Sequence, residues 1–223
     1  MKNRRILKKW LSPLLVPAAQ SYLKKHRTAR FLGLQLDIPT GVFHPSFFFS
    51  TKTLGQYISS LDLAGKKLLE IGCGSGAISI VAARQGADVH SCDINPEAVT
   101  TTIHNAQKNK VQVAACRSDL FGAIQDKGFH YILNNPPYYP KDPQSMEEHA
   151  WYAGKDLDYF KRLFKEAPAY LAPQGKLLLV LTAECNLELI HRLAAAENLR
   201  YQLVYTRATW AENTYVFQYE IVG

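Results

Sequence analysis

From Lys66 onward, apolar and polar positions switch between two periods. "KKLLEIG" (66–72) is a short, nearly unbroken apolar run ending on glycine, the pattern of a strand buried on both faces. "AISIVAARQ" (77–85) follows with helical spacing. The alternation then repeats. "ADVHSCDI" (87–94) predicts a second strand, and "NPEAVTTTIHNAQ" (95–107) a helix with Asn95 placed to cap it and Pro96 at its first position. "VQVAAC" (111–116), "FHYILNN" (129–135) and "GKLLLVLT" (175–182) predict further strands. "LDYFKRLFKEAPAYL" (157–171) and "LELIHRLAAAEN" (187–198) predict helices. Strands separated by helices imply a parallel sheet covered on both faces. The last two runs, "YQLVYTRA" (201–208) and "NTYVFQYEIV" (213–222), have no helix between them and imply an antiparallel pair at the sheet edge.

Length and composition change this picture little. The chain has 223 residues, 47% hydrophobic and 20% charged, enough for one α/β domain with a substantial core. Its four cysteines (Cys73, Cys92, Cys116, Cys185) are scattered, without a CxxC pair or a nearby Cys/His cluster. That spacing argues against zinc or a disulfide framework and suggests a reducing compartment, the cytoplasm.

Charge adds a boundary. Residues 1–30 hold nine Lys/Arg and no Asp or Glu, although the net charge of the chain is only +7. We therefore expect a basic N-terminal extension, helical, over residues 1–35, followed by the main domain over 36–223. Pro13 and Pro17 interrupt the apolar run "WLSPLLVPAA", which is too short to span a bilayer and does not read as an export signal. The extension reads as a basic segment for RNA or a membrane surface, or as a helix packed on the domain. Its interleaved Trp10, Tyr22 and Phe31 are candidates to stack on unpaired bases.

The richest chemistry lies at two strand ends. "LLEIGCGSG" places Gly72, Gly74 and Gly76 between the first strand and its helix, with Glu70 just before them. Glycine permits a sharp turn and close approach of a ligand to the backbone beside a helix N-terminus. Asp93 ends the second strand about twenty residues later, where an acid hydrogen-bonds ribose hydroxyls in nucleotide-binding folds. No Gly-Lys-Ser/Thr follows, so the loop is not a phosphate-binding P-loop. The fourth strand ends on "NNPPYYP" (134–140), amides, rigid prolines and flat rings together.

These stretches, with "SDLF" (118–121), resemble the class I S-adenosylmethionine (SAM) methyltransferases. The resemblance is closest to the "methyltransferase small" group with an Asn-Pro-Pro-Tyr motif, and it covers roughly residues 40–223. That group includes release-factor glutamine methyltransferases and rRNA and tRNA base N-methyltransferases. The resemblance implies a Rossmann-like, seven-stranded, mostly parallel sheet with helices on both faces and an antiparallel C-terminal strand pair. It implies SAM as cofactor, without a metal. By motif position, Glu70, Gly72, Gly74 and Gly76 line the methionine and ribose part, Asp93 holds the ribose, Asp119 with Leu120 flanks the adenine, and Ile94 is a further cofactor-binding residue. Asn135, Pro136 and Tyr138 are the implied catalytic residues, with Asn135 also beside the cofactor.

The residue types suit the reaction. An amide nitrogen or exocyclic amine has its lone pair delocalised, and it benefits from acceptors for both its N–H groups. Asn135 Oδ1 and the Pro136 carbonyl can supply them, with bonds that strengthen as charge develops on nitrogen. The prolines restrict the backbone, and Tyr138 offers a flat face. Asn134 and Tyr139 have no assignment. The aromatic segment "GVFHPSFFFST" (41–51) precedes the core, and His44 and Thr51, with Pro137 and Tyr138, are candidates to bind substrate. Phe47, Phe48 and Phe49 equally suit a plug over the sheet.

We therefore expect a SAM-dependent N-methyltransferase whose acceptor is a macromolecule, RNA or a ribosome-associated target ahead of protein glutamine. The alternatives are a SAM-binding regulatory or scaffold protein with little turnover, and a small-molecule methyltransferase.

Overall fold

The computed structural model describes residues 25–45, 49–209 and 212–222. In place of the helix expected through residue 35, strands β1 (Arg27–Phe31) and β2 (Leu34–Ile38) pair antiparallel, from Arg27↔Ile38 to Phe31↔Leu34. Leu32 and Gly33 form the connecting turn, both with positive φ (45° and 78°), which matches the twist of a two-residue hairpin. Alternate positions Leu34, Leu36 and Ile38 are buried, and so is Phe31. The hairpin therefore crosses the expected boundary at residue 35 and joins the domain core. Phe31, a candidate for base stacking, is 4% exposed and sits in that core instead. Residues 1–24, with Trp10 and Tyr22, lie outside the described residues, as do Phe47 and Phe48.

The main sheet contains β3 (Lys67–Ile71), β4 (Asp88–Asp93), β5 (Ala114–Arg117), β6 (Phe129–Asn134), β7 (Leu171–Thr182), β8 (Leu199–Ala208) and β9 (Asn213–Ile221). Its order is β5-β4-β3-β6-β7-β9-β8. Strands β3 to β7 pair in parallel, and β9 runs antiparallel to both β7 and β8. The expected fold class is the one found. The order reverses between β3 and β6, so their carboxyl ends open a crevice, the usual place for a ligand in such sheets.

Two cores follow from strand alternation. On one face Leu177, Leu179 and Leu181 of β7 pack with Phe160 and Phe164 of α4 (Asp158–Glu166) and Ile190 of α5 (Leu187–Ala196). On the other, Leu178 and Val180 meet Leu54 and Ile58 of α1 (Phe49–Ile58), Ile78 of α2 (Ala77–Arg84) and the hairpin. A fully buried Leu or Phe contributes roughly 1.5–3 kcal/mol by leaving water, and both faces of β7 collect such terms. The remaining helix, α3 (Pro96–Lys108), starts as expected: Asn95 caps it by accepting from Glu97 N at 3.0 Å. Among the described residues no helix is long and apolar enough to cross a membrane.

Candidate active site

The crevice at the carboxyl ends of β3 and β6 holds about 1350 Å³ of free space, counted to its open mouth. Every site residue expected from the sequence lines it except Gly76 and His44. The glycine loop takes the turn that its composition requires, with φ of 73°, 54° and 76° at Gly72, Gly74 and Gly76. Gly76 serves packing instead of the cleft: a Cβ there would stand 3.0–3.1 Å from Thr102 of α3. Helix α2 begins at the next residue, so its amino end and the positive end of its dipole adjoin the crevice.

Asp93 shapes this loop as well as facing the cleft. Its Oδ2 accepts from Gly74 N at 2.9 Å and its Oδ1 from Asn95 N at 2.9 Å. Each oxygen keeps a second lone pair, which suits the hydroxyls of a ribose. Burial raises its pKa, and the backbone donors work against that rise. Glu70 is 4% exposed, and its Oε2 accepts from Ser79 N at 2.8 Å and from the Ser79 hydroxyl. Burial pushes its carboxyl up to about 8, against those hydrogen bonds, so it is neutral at pH 7.

On the other wall, Leu120 is buried and Asp119 lies beside it. The Asp119 carboxylate is already engaged by Arg162 Nη1 of α4, at 3.2 and 2.9 Å. An adenine placed there would meet an ion pair instead of a bare acid.

At the end of β6 the two asparagines divide their work. Asn134 is 1% exposed; its Nδ2 donates to Ile71 O at 2.8 Å and its Oδ1 accepts from Tyr159 OH at 3.2 Å. It ties the strand end to β3 and α4. Asn135 is half-buried, lines the cleft, and its Nδ2 donates to Thr51 Oγ1 at 3.2 Å. Pro136 and Pro137 are buried behind it. Tyr138 packs on the α4 and α5 core, with the ring of the more exposed Tyr139 at 4.8 Å. Burial pushes the phenols of Tyr138 and Tyr159 well above the usual range, so neither is a base near neutral pH. His44 is buried, held below the usual imidazole range by that burial, and is not part of the cleft wall.

Sequence reasoning singled out neither Phe43 nor Trp151, although both line this cleft, with ring centroids 5.7 Å apart. The segment bearing Trp151 is held to the motif by Tyr138 N and Tyr139 N, both donating to Trp151 O, at 3.2 and 3.1 Å. Gly41 O accepts from Asn95 Nδ2 at 3.2 Å and fixes the segment bearing Phe43. Among the described residues no cluster of three or more His, Cys, Asp or Glu side chains is arranged to hold a metal.

The cleft's lining fits an adenosyl group with an amino-acid tail: glycine backbone, a carboxylate with spare lone pairs, and the apolar side chains of Ile94 and Leu120. Comparison with known proteins points the same way. The profile of the methyltransferase small domain family matches residues 39–205. Ribosomal RNA small subunit methyltransferase C of Chromohalobacter salexigens is 33% identical over 156 residues, covering 68% of this chain and 43% of that protein. Release factor glutamine methyltransferase of Streptococcus pneumoniae is 32% identical over 164 residues, covering 68% of this chain and 58% of that protein. The chain thus aligns with only about half the length of these relatives. A Thermus thermophilus 16S rRNA N2 guanine methyltransferase, solved with AdoMet and guanosine, superposes with a TM-score of 0.64 over 89% of this chain and 50% of its own. At 20% identity that likeness is one of fold. With a family profile that spans most of the described core, the chain belongs to the methyltransferase small domain family.

Proposed function

We propose that this protein is a SAM-dependent N-methyltransferase acting in the cytoplasm on a planar nitrogen of a macromolecule, the exocyclic amine of an rRNA or tRNA base. The observation that carries this is Asn135, held at the end of β6 in the same cleft as Asp93 and the glycine loop. SAM bound in this cleft would supply a methyl group activated by a cationic sulfur, and Gly72, Gly74, Asp93, Ile94 and Leu120 are the residues that would hold its adenosyl part. Asn135 Oδ1 and the Pro136 carbonyl accept the two N–H groups of the incoming nitrogen. Both bonds strengthen as positive charge develops there, which is the differential stabilisation that lowers the barrier. Neither Tyr138 nor Tyr159 takes the proton, because both phenols stay neutral. The acceptor nitrogen would gain the methyl carbon as the sulfur–carbon bond breaks, leaving S-adenosylhomocysteine, and would then lose its proton to water.

RNA is preferred as acceptor because nine positive charges without an acid in residues 1–30 suit phosphates. The second reading is the side-chain amide of a protein glutamine, favoured by the likeness to the release factor enzyme. The test is transfer of labelled methyl from SAM into rRNA, tRNA and protein fractions of a lysate. RNA should take the label. Asn135→Ala should lose at least about a hundredfold in rate while calorimetry shows unchanged SAM affinity. Truncation to residue 25, which spares the hairpin, should weaken transfer to RNA and flatten its salt dependence. Label in protein alone would replace RNA with glutamine. SAM binding with no label in any fraction would favour a regulatory protein.

A further inference from the structure

We propose that Thr51 is a positioning residue for methyl transfer: its hydroxyl holds the Asn135 amide so that Oδ1 faces the incoming nitrogen. This rests on the methyltransferase reading and replaces the expectation that Thr51 touches substrate. Thr51 lies in the first turn of α1, 84 residues from Asn135 in sequence, and is 6% exposed. Asn135 Nδ2 donates to its Oγ1 at 3.2 Å.

The chemistry of an asparagine makes this contact consequential. The amide turns about its last torsion between broad, roughly two-fold wells. A half turn exchanges the acceptor Oδ1 for the donor NH2. In the wrong orientation the acceptor's N–H would meet another N–H, and the stabilisation argued above would become repulsion. With its nitrogen corner tied to Thr51, the amide presents its oxygen corner on the opposite side. Among the described residues Oδ1 of Asn135 accepts no hydrogen bond, so it is available to an acceptor.

The neighbours sharpen the assignment. Asn134 spends both ends of its amide on Ile71 and Tyr159, and it cannot exchange roles with Asn135. Thr53, two residues along the same helix, spends its hydroxyl on Phe49 O at 2.7 Å. Thr51 instead reaches across to β6. Helix α1 is itself anchored by Leu54 and Ile58 in the core, so the hydroxyl is presented from a rigid element. Such placement matters because misplacing a reacting or catalytic group by about an ångström costs up to about a hundredfold in rate.

The experiment is a double-mutant cycle on the full chain, read as single-turnover methyl transfer and as SAM affinity by calorimetry. Thr51→Val should lower the transfer rate about tenfold or more while SAM affinity stays within about twofold. Thr51→Ser should restore most of the rate, because it returns the hydroxyl. In the Asn135→Ala background, Thr51→Val should change the rate by less than about twofold, since the group it positions is gone. If Thr51→Val does not fold, Thr51→Ala against Thr51→Ser makes the same comparison. Additive losses in the double variant would overturn the proposal, and so would a loss of SAM affinity at an unchanged transfer rate. Absence of transfer by the wild-type chain to every fraction defeats the methyltransferase reading and this proposal with it. Additive losses in an active chain defeat this proposal alone.

Discussion

Replacing Glu70 with glutamine should flatten the dependence of stability on pH. Glu70 sits in β3 at 4% exposure, against Ser79, whose hydroxyl lies 2.6 Å from that of Ser91. Burial is the largest influence on its carboxyl; the Ser79 donors oppose it, the nearby Asp93 charge adds to it, and the result is about 8 instead of 4.5. Between those two values the folded protein keeps a proton that the unfolded chain has released. The unfolded state therefore binds fewer protons, and stability falls as pH rises. The contribution is fully present below pH 4.5 and lost as pH passes through about 8. At about 1.4 kcal/mol per pH unit the whole interval amounts to on the order of 5 kcal/mol, an upper bound because water entry relaxes a buried charge.

Glutamine keeps an oxygen for Ser79 N and does not ionise. Denaturant unfolding of wild type and Glu70→Gln from pH 5 to pH 9 isolates the effect, since every other group is common to both. The difference in stability should shift steadily in favour of the variant up to about pH 8 and then level off. In a thermal scan the same difference corresponds to about 10–20 °C for a chain of this size. Parallel curves over this range would show that burial does not raise the Glu70 carboxyl, and would refute the reasoning.

Two further substitutions test the parts of the cleft separately. Asp93→Ala removes the acceptor shared by Gly74 N and Asn95 N together with the ribose partner, and calorimetry should find SAM bound at least about tenfold more weakly. Unchanged affinity in a folded variant would place Asp93 outside the cofactor site. Tyr159→Phe leaves Asn134 Oδ1 buried without its donor and should cost about 1–3 kcal/mol, seen as a lower denaturant midpoint at unchanged slope. An unshifted midpoint would show that this hydroxyl does not brace the strand end.

What could be read from the sequence was what is decided locally. A run of glycines after a buried strand, an acid closing the next strand and an Asn-Pro-Pro-Tyr segment each carry their backbone requirement in their own residue types. The mostly parallel sheet with its antiparallel edge pair and the cleft at the strand ends were legible in this way; the strand order was not. Nor was the hairpin, because its turn is Leu32–Gly33, whereas the readable signal for such a turn is Asn-Gly or Asp-Gly. Basic residues at its start also masked the alternation that buries Leu34, Leu36 and Ile38. Contacts across large sequence separations were equally illegible: Asn135 with Thr51, Phe43 with Trp151, and Asp119 with Arg162. Gly76 adds a requirement that its motif position did not reveal: a Cβ there would meet Thr102 of another helix.

The hairpin is clasped to the elements that carry the cleft. Asn105 of α3 is fully buried; its Oδ1 accepts from Asp37 N at 2.8 Å, and its Nδ2 donates to Asp37 O and to Ser75 O, both at 2.9 Å. One side chain thus joins the hairpin to the glycine loop. Its three hydrogen bonds are made away from water, where leaving any partner unpaired is costly, so the junction is rigid. Asn109 adds a second clasp, donating to Gln35 O at 2.8 Å. Arg27 stands opposite Ile38, three residues before Gly41, which lines the cleft. If the basic residues that precede Arg27 draw a phosphate partner as proposed, truncating that segment should weaken transfer to RNA while SAM affinity, measured by calorimetry, stays unchanged; equal transfer by the truncated chain would refute that role.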